Sequence, residues 1–183
     1  MTEFAHDRVV PFAGSALSKK EQVAGMFDSI AKKYDLLNRL LSAGTDRRWR
    51  KKAIQILQKD HPATLLDIAT GTGDMAILAS GMLQSCKITG VDISEGMLEV
   101  GRQKIRDKNL QNTIELLKGD GEAISAPDNS FDAVMVAFGV RNFQDLQTGL
   151  NEMKRVLRPG GKMIILEFSK PKNPLIEIGR AHV

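Results

Sequence analysis

Cysteine is almost absent from this sequence: Cys86 is the single thiol in 183 residues. One cysteine excludes an intramolecular disulfide and a cysteine-built metal site, and it fits a reducing compartment. The three histidines, His6, His61 and His182, stand far apart and offer no metal-ligand spacing. We therefore expect a cytoplasmic protein that holds no metal.

Long apolar runs are also missing. No stretch approaches the roughly 18 consecutive apolar residues of a membrane span, and the first residues, MTEFAHDRVVPF, lack the apolar centre of a signal peptide. Hydrophobic residues make up 42% of the chain, which is ordinary for a soluble globular domain. The length suits one domain with a proper core, and the net charge of +4 is mild.

Positive charge is concentrated in one segment, Arg47–Lys52, where basic residues surround Trp49. The helical spacing of Trp49, Ala53, Ile56 and Leu57 predicts an amphipathic helix that buries these four side chains. The basic residues would then either face water or contact an anionic membrane surface, where each is worth about 1 kcal/mol. Nucleic acid is a weaker option, because only Trp49 could stack on bases, and we expect no nucleic-acid partner.

Periodicity divides the chain into a helical first part and an alternating second part. Up to about residue 60 the pattern is helical, and Ser18 with Glu21 forms a capping box before the first helix. From Thr64 onward, short apolar runs alternate with helical stretches. The strand candidates are LLDIA, KITGVDI, TIELLKG, FDAVMVAF and KMIILEF, and the helix candidates are Met75–Leu83, Ser94–Asp107 and Asp145–Leu157. This alternation predicts an α/β fold with a doubly wound, mostly parallel sheet.

Polar residues collect at the carboxyl ends of the predicted strands, which is the edge where such sheets bind ligands. In chain order, the residues after the five strands are Gly71, Gly73 and Asp74, then Asp92, then Asp120, then Gly139, Arg141 and Asn142, and finally Glu167. Each acidic residue alone could cap a helix. Their joint placement at one edge favours a shared ligand site.

The glycine loop in LLDIATGTGD satisfies the dinucleotide fingerprint G-x-G-x-x-G/A, and Asp92 follows where a ribose-binding acid belongs. NAD is therefore one candidate ligand. Asp74 opposes it, because a carboxylate at the start of the next helix would repel a pyrophosphate. S-adenosylmethionine is cationic and carries no phosphate, so it suits a rim formed by Asp67, Asp74, Asp92 and Asp120. We predict that the loop holds the methionine end of S-adenosylmethionine.

Six segments together resemble the ubiquinone/menaquinone biosynthesis C-methyltransferases. They are FDSIAKKYDLLN, LLDIATGTGD, GVDISEGML, PDNSFDAV, AFGVRNF and VLRPGGKMIILEFSKP. The resemblance extends from about Gln22 to Pro174, and FGVRN and LEFSKP are far more specific than the glycine loop. It implies a class I S-adenosylmethionine-dependent methyltransferase, with a Rossmann-like fold, that methylates a ring carbon of a polyprenylated demethylquinol.

The resemblance favours demethylmenaquinol as the substrate, with the product entering menaquinone biosynthesis. The ubiquinone-pathway compound, a 2-polyprenyl-6-methoxy-benzoquinol, is the alternative. Two other classes stay open. An NAD-dependent oxidoreductase is opposed by Asp74 and by the lack of a Tyr-x-x-x-Lys pair. A non-catalytic methyltransferase-like subunit would predict a degraded cofactor loop, whereas Thr72, Gly73, Asp92 and Asp120 are all present.

By this resemblance, the family's cofactor contacts fall on Thr72, Asp92 and the pair Asp120 and Gly121, with Gly71, Gly73 and Asp67 completing the predicted site. Asp92 is expected to accept hydrogen bonds from both ribose hydroxyls. Asp120 and the Gly121 N–H are expected to hold the adenine edge.

Two positions depart from the wider pattern. Ala137 stands where some family members use a serine, so that contact is lost or replaced. Ala69 stands where the methyltransferase fold often has a glycine. We expect its methyl group to demand ordinary backbone angles and to shift the first bend of the turn slightly.

Catalytic residues are harder to assign, because no Asp–His or Cys–His pair is visible. Tyr34, Asp35, Arg141 and Asn142 are candidates to position or polarise the oxygens of the quinol ring, with Arg141 stabilising a phenolate. The alternative for Arg141 is a carboxylate partner that caps the loop. The alternative for Tyr34 is packing at the end of the amphipathic helix.

We predict four regions: an arm (residues 1–17), a helical lid or substrate region (18–60), the S-adenosylmethionine-binding α/β domain (61–176) and a non-native tail (177–183). The last strands usual in this fold are expected to be missing, which would leave Met163–Phe168 as an exposed edge. We accordingly expect ready aggregation and little activity. The oligomeric state is left open.

Overall fold

The computed structural model describes residues 9–42 and 45–168, with side chains described for 9–37 and 45–168. The helices are α1 (Lys19–Ser42), α2 (Thr45–Gln58), α3 (Asp74–Ser80), α4 (Glu95–Asp107) and α5 (Leu146–Val156). The strands are β1 (Thr64–Ile68), β2 (Lys87–Asp92), β3 (Ile114–Lys118), β4 (Phe131–Ala137) and β5 (Leu157–Leu166). The predicted tail, residues 177–183, and the first half of the predicted arm lie outside the described residues.

The five strands form one sheet in the order β3-β2-β1-β4-β5, and every pairing is parallel. The chain starts in the centre with β1, proceeds outward through β2 and β3, and returns to the other side of β1 for β4 and β5. This reversal places the switch point between β1 and β4, which is where a doubly wound sheet opens a crevice. The predicted α/β fold class is confirmed.

Local sequence signals account for most element boundaries. The capping box is present: the Ser18 N–H donates to Glu21 Oε2 over 2.8 Å, and the Glu21 N–H donates to Ser18 Oγ over 3.3 Å. The side chain of Ser94 caps α4 by accepting the Met97 N–H. Helix α3 is shorter than predicted, because it ends at Ser80 before Gly81.

Apolar side chains cover both faces of the sheet. One face packs against α2, α3 and α4 through Leu65, Ile88 and Met135. The opposite face packs against α5 through side chains that include Leu66 and Val134. Burying one such side chain completely is worth about 1.5–3 kcal/mol. Residues adjacent in sequence therefore belong to different layers, as the period-two alternation of a strand requires.

The buried stripe of α2 differs from the prediction. Its buried residues are Asp46, Ala53, Ile54 and Leu57, while Trp49 is 40% exposed and Ile56 is 48% exposed. The prediction that Trp49 and Ile56 are buried is therefore wrong. The helix is rotated toward Ile54, whose burial against the sheet cluster is complete.

Within the described residues, β5 pairs only with β4 and forms one edge of the sheet. Ile165 is 45% exposed and Phe168 is 51% exposed along this edge. The described residues thus place β5 at an edge, while the absence of further strands and the aggregation stay predictions. None of the helices in the described part of the chain is long and apolar enough to cross a membrane.

The expectation for Ala69 is also wrong. Ala69 has φ +51°, so it adopts the left-handed conformation that a glycine would adopt in this turn. For an alanine this costs on the order of 1 kcal/mol. The Ala69 methyl group lies against Gly139, since a Cβ added to Gly139 would be 2.5 Å from the Ala69 Cβ. The strained turn therefore depends on a glycine at the end of the neighbouring strand.

This contact predicts a coupling between the two positions. Gly139→Ala should destabilise the parent by about 1–3 kcal/mol through overpacking, and by clearly less when Ala69→Gly is also present. Urea unfolding of the two single variants and the double variant measures the difference. Gly25→Ala is the control, because a Cβ added to Gly25 meets nothing within 4 Å. Effects that add within about 0.5 kcal/mol would show that the methyl contact is unimportant.

Candidate cofactor-binding site

A cleft opens at the carboxyl ends of the strands. Helix α1 crosses above it and contributes Lys20, Val23, Phe27 and Tyr34. The other walls come from the glycine loop and the segments after β2, β3 and β4, including Gly71, Asp92, Met97, Asp120, Gly121, Gly139 and Asn142. The sheet edge that the sequence predicted is thus one continuous concave site.

The glycine loop is shaped by positive φ angles, +56° at Gly71 and +74° at Gly73. The amides of both glycines have partners within the protein. The Gly71 N–H donates to Asp92 Oδ2 over 2.8 Å, and the Gly73 N–H donates to the Thr70 carbonyl over 3.0 Å. A loop that binds pyrophosphate directs such N–H groups toward the ligand. The geometry therefore disfavours a dinucleotide.

Asp92 joins the glycine loop to the start of α4. Besides the Gly71 N–H, it accepts the Ser94 N–H on Oδ1 over 2.9 Å. Burial raises the pKa of Asp92, while these backbone hydrogen bonds act in the opposite direction. A carboxylate has about four acceptor positions, so each oxygen retains capacity toward the cleft. That arrangement fits a vicinal diol such as a ribose.

Asp120 and Gly121 lie together after β3, as predicted. A side chain at Gly121 has no room, because an added Cβ would lie 2.7 Å from Ile68 and 3.0 Å from the Phe143 ring. Asp120 Oδ2 accepts a hydrogen bond from Lys20 Nζ over 2.6 Å, and Lys20 is also 3.2 Å from Glu122. Desolvation, which favours neutral Lys20, is outweighed by these two carboxylates, so its pKa is raised.

The role of Lys20 could not be predicted from the sequence, because its partner, Asp120, is 100 residues away. A lysine on an amphipathic helix ordinarily faces water, and nothing in the local pattern marks this one. The structure gives the predicted adenine subsite a cation that closes one side.

The predicted acidic rim requires a correction. Asp74 forms an ion pair with Lys104 of α4, and Asp120 pairs with Lys20, so neither carboxylate is a free negative charge. Asp67 is 1% exposed, and burial raises its pKa to about 7. Because Asp74 is paired with Lys104, it would repel a phosphate less than the sequence predicted. The case against a dinucleotide therefore rests on the glycine amides, which already have partners.

Thr72 contacts two charged residues, Asp35 of α1 and Lys104 of α4. Its hydroxyl donates to Asp35 Oδ1 over 2.6 Å and lies 3.1 Å from Lys104 Nζ, which also bonds Asp35 Oδ2 over 2.9 Å. Thr72 and Asp67 line a small polar recess beside the main cleft. Asp35, a catalytic candidate in the sequence, is thus occupied in fastening α1 to the loop.

Helix α1 is fastened at three places along one side, by Lys20, Asp28 and Asp35. Asp28 accepts the Ser94 hydroxyl over 2.6 Å and the Gly96 N–H over 2.8 Å. The seven- and eight-residue spacings correspond to two helical turns each, so these side chains share a face. The helix is held over the cleft by polar contacts at the carboxyl edge.

Apart from Asp35, the predicted catalytic residues separate into two groups. Tyr34 and Asn142 line the cleft, and Tyr34 also packs edge-on against Phe27 at 5.8 Å. Arg141 is not among the residues of the cleft wall. Instead it forms a 2.6 Å ion pair with Glu167 and lies 5.4 Å from the Phe168 ring. The carboxylate partner considered for Arg141 is therefore present.

Phe138 is a cleft residue that the sequence reasoning missed. It has φ +61°, which is rare for a bulky side chain, and its ring stacks on Phe168 at 4.7 Å. Strained residues of this kind cluster at functional sites. Its position in the FGVRN motif could have marked Phe138 as a site residue in the sequence.

Comparisons with known proteins agree with this geometry. A solved S-adenosylmethionine-dependent methyltransferase from Aquifex aeolicus superposes with a TM-score of 0.57 at 26% identity, covering 66% of each chain. The [4+2]-cyclase SpnF, at 22% identity, shares the fold with a TM-score of 0.73 over 87% of this chain and 63% of its own. The fold and site define an S-adenosylmethionine-dependent methyltransferase.

The family follows from sequence comparison. Residues 15–181 match the ubiE/COQ5 methyltransferase family, and the chain belongs to it. It is 48% identical to a Bacteroides fragilis demethylmenaquinone methyltransferase over 92% of this chain and 68% of that protein. It is 47% identical to the ubiquinone/menaquinone biosynthesis C-methyltransferase UbiE of Geobacter sulfurreducens, over 87% of this chain and 62% of that protein.

Asp92→Ala should weaken binding of S-adenosylhomocysteine by about 100-fold or more, because two hydrogen bonds to a charged group are lost at about 1.5–3 kcal/mol each. Calorimetry measures the change. Asp132→Ala is the matched control, since Asp132 accepts the Ala63 and Thr64 N–H groups at the opposite end of β1. It should lower the melting temperature and leave affinity unchanged. Binding within threefold of the parent in Asp92→Ala would refute the ribose assignment.

Proposed function

We propose that this chain transfers a methyl group from S-adenosylmethionine to a ring carbon of a polyprenylated demethylquinol, converting demethylmenaquinol to menaquinol. The observation that carries the proposal is the pairing of Asp92 with Asp120 and Gly121 around one cleft, in a chain 48% identical to a demethylmenaquinone methyltransferase. These residues offer the acceptors that a ribose and an adenine edge require.

The walls of the cleft support an aromatic, apolar substrate. Val23, Phe27, Phe138 and Phe143 present hydrocarbon surface beside the few polar groups. Ligand sites are typically built this way, with apolar walls for affinity and placed polar groups for orientation. An apolar lining also excludes water from the reacting groups.

The proposed chemistry divides between the cofactor and the chain. S-adenosylmethionine supplies an electrophilic methyl group on a sulfonium. We propose that Asn142 and Tyr34 bind the ring oxygens of the quinol and orient the carbon to be methylated. We propose that Arg141 stabilises the phenolate at the rim of the cleft, which requires it to exchange Glu167 for the substrate oxygen.

We also propose which part of the chain binds the substrate and which part binds the cofactor. Residues 18–60 would form the lid and substrate region, because α1 covers the cleft and is fastened to its rim by polar side chains. Residues 61–176 would form the cofactor-binding domain. The ubiquinone-pathway quinol is the second candidate substrate, since relatives named UbiE are 47% identical to this chain.

Two measurements on the purified chain test the proposal. S-adenosylhomocysteine should bind in calorimetry, and NAD should not. In a methyl-transfer assay, a short-tailed demethylmenaquinol should be methylated faster than the corresponding 2-polyprenyl-6-methoxy-benzoquinol. Binding of NAD alone would point to an oxidoreductase, and cofactor binding without transfer to either quinol would favour a non-catalytic subunit.

A variant separates catalysis from cofactor binding in the same assay. Asn142→Ala should slow methyl transfer by on the order of 10-fold or more with little change in affinity for S-adenosylhomocysteine, because the lost contact is to the quinol. Asn151→Ala, at an exposed position of α5, is the matched control. Equal rates in both variants would remove Asn142 from the catalytic residues.

The basic segment supports a location in the cytoplasm at the inner face of the membrane. Arg47, Arg48, Lys51 and Lys52 are exposed on α2, and Trp49 is 40% exposed with an edge-on contact to Phe168. Basic residues beside an exposed tryptophan are typical of helices that lie on a lipid surface. We propose that this face brings the cleft to a substrate whose tail is in the bilayer.

Reversing charge at Arg48 and Lys51 to glutamate should slow methylation of a long-tailed quinol in anionic vesicles. The loss should be larger at low salt, where attraction to the surface is less screened. A soluble short-tailed quinol should be methylated at the parent rate. The same reversal at Lys118 and Lys154, exposed elsewhere, is the control. Equal losses on both substrates would favour the water-facing interpretation.

A further inference from the structure

Three aromatic side chains form a continuous row from the cleft to the outer surface of α2. Phe138 lines the cleft, and its ring stacks on Phe168 with 4.7 Å between the centroids. Phe168 in turn contacts Trp49 edge-on, with 6.0 Å between the centroids. We call Phe138, Phe168 and Trp49 the ring row. It joins three parts of the chain that are distant in sequence: the turn after β4, the residues after β5, and α2.

The ring row becomes more exposed as it leaves the cleft. Phe138 is partly buried, whereas Phe168 is 51% exposed and Trp49 is 40% exposed. Single exposed apolar side chains are ordinary on a protein surface, but a contiguous exposed patch marks a surface that binds something. Because the ring row is contiguous with the cleft, we expect its occupant to be an extension of the ligand that the cleft holds.

Two guanidinium groups hold the rings in position. Arg50 lies over the Phe138 ring and Arg141 lies over the Phe168 ring, each 5.4 Å from the centroid. Cations placed in this way are attracted to the face of an aromatic ring. Arg141 is fixed in turn by its ion pair with Glu167. The ring row is therefore a preorganised apolar surface, and a flexible hydrocarbon chain can bind to it without ordering the protein first.

We propose that the ring row binds the first isoprene units of the quinol's polyprenyl tail and directs the tail from the cleft toward α2. Two observations identify this occupant. The row begins at a residue that lines the cleft, and it ends on the helix that carries the exposed basic residues Arg48 and Lys51. The inference rests on the proposed function and deepens it, since it makes Phe168 and Trp49 determinants of specificity for tailed quinols.

Trp49 allows a direct measurement of binding, because it is the single tryptophan of the chain. Its fluorescence therefore reports on the outer end of the ring row alone. Farnesol, an isoprenoid alcohol without a quinol ring, should shift the emission to shorter wavelength in a saturable way, since the indole leaves water. Phe168→Ala should weaken farnesol binding by about 3- to 10-fold, because apolar contact area is lost. Leu117→Ala, exposed on β3 at the opposite edge of the described sheet, is the matched control.

Kinetics with two dissolved substrates separate tail binding from membrane contact. One substrate is a demethylnaphthoquinol with a geranyl tail and the other has no tail, and both are assayed without vesicles or detergent. Trp49→Ala should raise KM for the geranyl quinol by about 3- to 10-fold and leave kcat unchanged, because the tail takes no part in methyl transfer. The tailless quinol should be methylated as by the parent, and Leu117→Ala should change neither reaction.

These measurements distinguish a failure of the inference from a failure of the proposed function. Equal losses on both quinols in Trp49→Ala would assign this residue a structural role and overturn the inference. A loss that occurs only when the substrate is in vesicles would make Trp49 a membrane contact, with the same consequence. The inference would also fail if the parent methylated both quinols with the same KM, although the function would stand. A saturable farnesol shift in a chain that methylates neither quinol would refute the proposed function and support the isoprenoid site.

Discussion

The carboxylate of Asp92 is the interaction on which the site depends. Through its two oxygens it holds the Gly71 N–H and the Ser94 N–H, so one side chain at the end of β2 fixes both the glycine loop after β1 and the first turn of α4. Burial makes its charged form costly and raises its pKa, and the backbone donors offset part of that cost. The same group lines the cleft, so the residue that we propose to bind a ribose also fixes the shape of the loop.

Around this centre, charge is paired across long sequence distances. Lys20 reaches Asp120, Asp28 reaches the start of α4, and Lys104 joins Asp35 to Asp74. Partly exposed pairs of this kind contribute little stability individually. Their effect is geometric, because they hold α1 across the open edge of the sheet and bring Phe27 and Tyr34 over the cleft. These polar contacts thus help to hold the cover of the site in place.

Backbone strain is concentrated at the switch point between β1 and β4. Ala69 and Phe138, each just after one of these strands, both have positive φ, and Gly139 provides the space that the Ala69 methyl group occupies. Such conformations persist only where the surrounding structure imposes them. The parallel register of β1 with β4 brings the residues after both strands together, and Phe138 and the glycine loop meet at the cleft.

The sequence by itself determined the fold class, most element boundaries and the edge of the sheet that carries the site. These follow from short-range rules: the short apolar runs of β1 and β4, the capping box of Ser18 and Glu21, and polar residues that begin where each strand ends. The tertiary structure alone decided that Arg50 turns inward while Trp49 faces out, and that Arg141 pairs with Glu167. It also decided that Lys20 neutralises Asp120. Hydrophobic periodicity depends on neighbours in sequence, whereas the partner of a charge and the angles of a strained turn depend on how distant elements pack.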